Sequence, residues 1–147
     1  MIRNFLNILF LILLAAAAWS DFRRRRIPDA VSAAVALAGI AAAQAAPEIG
    51  MAERIAGMLA VSAPVFLAAM VKPGAFGGGD VKLLAAGGFF LGVRAAWTAF
   101  VAGMAGAGVY SVFLVIKGKS RKEKFALGPF LCMGMAIGLF SGKFLWN

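Results

Sequence analysis

The chain has 147 residues, 63% hydrophobic and only 14% charged, against about a quarter charged in soluble domains, which marks an integral membrane protein. With no histidine and with Cys132 as its one cysteine, it excludes His-based triads, His-ligated metals, an internal disulfide and a Cys-x-x-Cys metal site. The net charge of +9 would suggest nucleic acid in a soluble protein, but here the basic residues cluster in loops, where they set topology; the expected partner is the lipid bilayer, not nucleic acid.

At about 20 residues per span, the apolar stretches predict six transmembrane helices in one all-α bundle, with residues 1–147 forming a single polytopic domain. The first helix covers residues 5–20 and ends at Trp19, a residue type favoured at the membrane interface. This stretch resembles a signal peptide only superficially. Arg3 is its sole basic flank, and Ser20-Asp21-Phe22-Arg23 is a poor cleavage site, so it is kept as a mature span. Asp21 closes this first apolar run and is followed by Arg23, Arg24, Arg25, Arg26 and Ile27-Pro28-Asp29. Pro28 suits the first turn of the second helix, where its missing N–H costs nothing, and Asp29 suits the positive end of that helix.

The second helix covers residues 30–46, and Pro47-Glu48-Ile49-Gly50 turns the chain. The third covers residues 54–71 with Pro64 inside it, where a kink or a freed carbonyl is expected. Lys72-Pro73-Gly74 ends it, and Gly77-Gly78-Gly79-Asp80 leads into a fourth helix at residues 80–91, too short to cross a bilayer alone. The fifth covers residues 95–116, its glycines forming a packing face. A basic loop follows, and the sixth helix covers residues 127–146, entered through Gly128-Pro129-Phe130. Cys132 and Met133 in it read as packing residues.

Alternating these spans collects eleven of the fifteen basic residues on one side and leaves Arg3, Arg54, Arg94 and Lys143 on the other. The positive-inside rule then puts the eleven in the cytoplasm. Asp21 and Asp80 fall on that same face. Ionisable groups inside apolar segments are costly and point to function.

If the two carboxylates meet, they share one proton and titrate together. Such a pair can hydrolyse a peptide bond, one member taking a proton from water while the other polarises the carbonyl. Glycines Gly77, Gly78 and Gly79 permit close backbone approach to an extended substrate. The residues alone leave three readings open: a hydrolytic dyad, a proton- or ion-coupled pair in a small transporter or channel subunit, and structural carboxylates. A transporter would be expected to show repeated, interrupted helices, which the sequence lacks.

Three motifs bear on that choice. Gly77-Gly78-Gly79-Asp80-Val81-Lys82-Leu83 resembles a Gly-x-Gly-Asp motif with its trailing Lys-Leu, and Asp21 with Ile27-Pro28-Asp29 resembles an Asp…Ile-Pro-Asn motif. Gly128-Pro129-Phe130-Leu131-Cys132-Met133-Gly134 is similar to a Pro-Phe-x-Pro-Phe-Leu-x-x-Gly stretch. In that order they resemble the type IV prepilin peptidases, the family A24 membrane aspartic peptidases, and most closely the short CpaA/TadV-like form of tight-adherence (Flp) pilus systems. The resemblance implies a GxGD-type aspartic protease architecture in a bacterial inner membrane. It further implies removal of the short basic leader from a prepilin or pseudopilin substrate at the cytoplasmic face. Asp21 and Asp80 would be the catalytic pair. Gly77, Gly78, Gly79, Lys82, Pro28, Asp29, Gly128 and Pro129 would position the substrate, with no metal and no cofactor. Asp29 stands where the family pattern has asparagine, and the first proline of the last motif is absent. The paired-cysteine extension of the larger, methylating relatives is absent as well, which argues against methyltransferase activity.

Overall fold

Runs of alanine, leucine and other good helix formers, interrupted only at Pro, Gly and charged clusters, leave the backbone one way to satisfy itself in lipid: helix. The structure, a computed structural model, describes residues 1–74, 76–118 and 127–144, with Lys143 and Phe144 described by their backbone alone. These residues form α1 (Ile2–Arg24), α2 (Asp29–Ala45), α3 (Met51–Val71), α4 (Gly78–Leu91), α5 (Val93–Ile116) and α6 (Gly128–Phe144), with no strand among them. Helices α1, α3 and α5 are long and apolar enough to cross a membrane. Most of the basic loop, and residues 145–146 of the sixth predicted helix, lie outside the described residues.

The expected helices are found, but their ends shift. Helix α1 begins earlier and runs a turn beyond residue 20, so Asp21 belongs to its last turns rather than following it. Arg23 and Arg24 sit where cations favour the helix dipole, and the Arg23 guanidinium lies 5.4 Å over the exposed Trp19 ring. The stop is made by Arg25 in the left-handed region (φ 52°), whose N–H donates to the Asp21 carbonyl at 2.7 Å. Ser20 Oγ then donates to the Arg26 carbonyl at 3.1 Å and folds the chain back. Pro28 is the N-cap of α2 (φ −61°, ψ 137°), not its first helical residue. Helix α3 begins at Met51 rather than at residue 54 and continues through Pro64 to Val71. The glycine run is not all loop: Gly78 and Gly79 already belong to α4.

Packing follows from small residues on facing helices. A Cβ at Gly57 or Gly88 would strike the other's carbonyl, so α3 and α4 meet backbone to backbone. Gly134 on α6 lies in the same way against Ala99 and Gly103 of α5. Phe10 of α1 stacks on Phe90 of α4 at 4.1 Å, above a core that includes Leu14, Val35, Val61, Leu83 and Leu131. Outside this core the helices expose Ile12, Leu37, Leu67, Val112 and Phe140, an apolar surface that suits lipid. Met133, expected to pack, faces outward among them, whereas Cys132 is buried.

The helices gather at two ends with different contents. One end joins the close of α1 to the starts of α2, α4 and α6, through Asp21–Gly128, Ile27–Gly79 and Asp29–Lys82 contacts. The opposite end joins the start of α1 to the end of α2 through Arg3 and Glu48, 2.8 Å apart. There the Arg54 side chain of α3, counted from sequence only as a charge of that face, is 1% exposed and reaches α2 and α4.

Candidate functional site

Asp21 and Asp80 are the two buried carboxylates among the described residues, 6% and 9% exposed. They come from different helices, one near the end of α1 and one in the first turn of α4, and both sit at the same end of the bundle. Each is held by a glycine. Asp21 Oδ2 accepts the Gly128 N–H at 2.8 Å, across 107 residues of sequence. A Cβ at Gly128 would collide with that carboxylate, so only glycine lets the start of α6 come so close. Asp80, at the third position of α4, accepts the N–H of the N-cap residue Gly77 at 3.3 Å, the carboxylate half of a capping box.

The two carboxylates are near enough to act on each other. Burial, and after it the negative charge of Asp21, raises Asp80 from the ordinary carboxylate value to about 6, against a smaller lowering by the Gly77 N–H. The N-terminus of α4 favours an anion in principle. Here loss of water and a like charge outweigh it. Asp80 Oδ1 is buried with no hydrogen-bond partner, an exception among buried polar atoms. It leaves one carboxyl oxygen uncommitted inside the site.

The predicted positioning residues divide into two groups. Ile27, just before Pro28, seats against Gly79, where a Cβ would press on its side chain at 3.1 Å and its carbonyl at 3.2 Å. This contact locks the start of α2 to the start of α4. Lys82 Nζ pairs with Asp29 Oδ1 at 2.9 Å, linking the same two helices farther out, where both side chains are mostly exposed. Asp29 therefore serves α2 as a helix-start carboxylate and Lys82 as its partner; neither touches the buried pair in a hydrogen bond among the described residues. A Cβ at Gly78 would meet nothing, so that glycine is not required by packing. Pro129 follows Gly128 in the first turn of α6 and is half-buried. No group of His, Cys, Asp and Glu able to hold a metal occurs among the described residues.

Two residues with structural roles at the site or opposite it were not singled out from sequence. Ile27 was quoted as part of a motif, but its packing on Gly79 is visible only once α2 and α4 are adjacent. Arg54 supplies a buried cation at the far end of the same two helices: Nη1 donates to the Phe89 and Phe90 carbonyls at 3.3 and 3.0 Å, and Nη2 to those of Ala42 and Ala46 at 3.1 and 3.2 Å. The signal available was an arginine in the first turns of a strongly apolar helix, a placement that lipid does not tolerate without partners.

A family model described as the type IV leader peptidase family matches residues 8–115. The match spans well over half of the chain and both aspartate segments, and ends before the Gly128 stretch. No curated protein and no solved structure matches the chain.

Proposed function

The chain belongs to the type IV leader peptidase family, and from that premise we propose that it removes the leader from pilin-like precursors by a two-carboxylate hydrolysis. The substrate would be a prepilin or pseudopilin of a Flp-type system, cut beside its short basic leader. The observation that carries this reading is the buried pair: two carboxylates from different helices, each fixed by a glycine N–H, with Asp80 Oδ1 uncommitted.

The asymmetry of the pair supports a division of roles. Asp80, raised to about 6, holds the shared proton and hydrogen-bonds the scissile carbonyl. Asp21 is the base. It takes a proton from a water molecule as that water attacks the carbonyl carbon, giving a tetrahedral intermediate. The amine then leaves with a proton from the pair as the C–N bond breaks, and the carboxylates return to their starting state. Gly128 fixes the direction of the Asp21 carboxylate. Gly77 and Gly78, both exposed, leave backbone uncovered beside Asp80, where an extended segment of substrate can lie, and Gly79 seats Ile27. Asp29, Lys82, Pro28 and Pro129 hold the starts of α2, α4 and α6 around it.

The eleven-to-four distribution of basic residues supports a cytoplasmic active face in a bacterial inner membrane. The test is cleavage of a basic-leader prepilin by the purified chain in lipid, comparing wild type with Asp21→Asn and Asp80→Asn. Each substitution is expected to lower the rate by about a thousandfold or more while circular dichroism stays helical. Full activity in either variant would falsify the two-carboxylate chemistry.

A further inference from the structure

Helix α4 is enclosed on most of its circumference and open along one line. On one side α2 meets it through Ile27 on Gly79, the Lys82–Asp29 pair and Gly39 against the Phe89 ring. On another, α3 meets it where Gly57 and Gly88 touch backbone to backbone, and α5 and α6 also pack on it. Among the described residues α2 and α3 barely meet each other, although the turn at residues 46–50 joins them. From Asp80 onward every residue of α4 is buried except Val81, Lys82, Ala85 and Phe89. With the exposed Gly78 these fall at helical spacing on one face, between the residues that meet α2 and those that meet α3. The open line is about 16 Å long. It starts at the carboxylate end and stops at Phe89, whose carbonyl accepts from Arg54 at the other.

Taking the chain as a leader peptidase that acts through Asp21 and Asp80, we propose that this face of α4, between α2 and α3, docks the apolar helix of the pilin-like precursor. Lys82 turns to Asp29 on α2, which leaves Gly78, Ala85 and Phe89 as the contact. Two of these are small, and small residues are what lets one helix backbone approach another in lipid. The line is also continuous with the carboxylate site through Gly77 and Gly78, both exposed. A helix that runs parallel to α4 from Gly78 begins level with Asp80. Asp80 is on the far side of α4, so the residues joining that helix to the scissile bond pass over the start of α4. The crossing is about 10 Å, which about three extended residues span. Gly78 thereby gains a use that packing does not give it: a Cβ there would meet no part of the chain, but it would stand in the substrate's path.

The experiment is disulfide cross-linking of the full chain in lipid nanodiscs to a basic-leader prepilin that carries one cysteine two turns into its apolar segment. Asp21→Asn keeps the prepilin uncut, and the native Cys132 is buried. Ala85→Cys is compared with Val112→Cys, at an exposed position of α5. Because a disulfide needs Cα atoms within about 7 Å, Ala85→Cys is expected to cross-link at least about tenfold faster than Val112→Cys. In the cleaving chain, Ala85→Phe fills the line and is expected to raise KM for the prepilin about tenfold with kcat within about twofold. Equal cross-linking at the two positions overturns the proposal, as does a wild-type KM in Ala85→Phe; both together assign this face to bilayer lipid. Should Ala85→Phe fail to fold, the cross-link decides alone. Failure of the wild type to cut the prepilin defeats the proposed hydrolysis, and the cross-link comparison then reads the docking face by itself.

Discussion

At one end of the bundle Arg54 donates to four carbonyls at the C-terminal ends of α2 and α4. At the other, Asp21 and Asp80 each accept from a glycine N–H, and one oxygen of Asp80 accepts from nothing. The same two helices, α2 and α4, run between these ends. A cation among helix C-termini is favoured by their dipoles and has most of its donors satisfied, so it stabilises. The carboxylate pair is satisfied only in part, since Asp80 Oδ1 is left without a donor, and under the proposed function a substrate or a water meets that demand. One buried charge holds the helices. The other pair is held by them.

The contrast can be broken most strongly at the arginine. Arg54→Met strips four carbonyls of their donor and is expected to cost about 3–5 kcal/mol of stability, read as a lowered midpoint in denaturant titration of the reconstituted chain. Arg54→Lys should recover part of it. A wild-type midpoint in Arg54→Met would mean that this end does not hold the fold.

The carboxylate end should behave in the opposite sense. Asp80, raised from 3.8 to about 6, contributes stability that is fully present below its unfolded value and is lost as pH rises through about 6. Asp80→Asn removes this dependence. At pH 8 the variant is expected to be more stable than wild type by about 3 kcal/mol, and at pH 3 the two should converge. By the same titration, wild-type cleavage should decline as pH rises through about 6, because the proton on Asp80 is lost. If stability and rate are both flat across that range, Asp80 is not the proton holder.

A finer test acts on geometry alone. Gly128→Ala pushes a methyl into the Asp21 carboxylate and keeps every charge. The expected loss in cleavage is about a hundredfold, as for a misplacement on the order of an ångström, falling on kcat rather than on KM. The smallest effect is reserved for the exposed Asp29–Lys82 pair. Asp29→Asn, which restores the residue of the family pattern, should change stability by less than about 1 kcal/mol and cleavage by only a few-fold. A large loss there would move Asp29 from the support of α2 into the chemistry.

How legible these two ends were in sequence differs for a physical reason. The six helices follow from apolar length and from Pro and Gly punctuation, and those signals are local. Asp21 and Asp80 stood out because a carboxylate in an apolar chain is conspicuous, and charge counting put them at one end without any knowledge of packing. The Asp21–Gly128 bond spans most of the chain and could be drawn only as a motif. Arg54 was misjudged because charge counting treats every cation as solvated. It cannot see that the carbonyls which satisfy this one come from two other helices. The helix ends were off by up to a turn for a related reason: Arg25 stops α1 with a left-handed residue that is not glycine, and propensity gives no warning of that.

The backbone contact between Gly57 and Gly88 bears on how such a chain can change over generations. Ordinary core positions drift in pairs, one residue growing as its neighbour shrinks. Here each missing Cβ faces the other residue's carbonyl, and the partner is already the smallest residue there is. No compensating substitution across the contact exists, so a lineage that loses either glycine has no second step by which to recover it. Descendants can reshape the lipid-facing side of α3 freely, but they inherit this crossing point unchanged, and with it the place of Asp80 in the bundle.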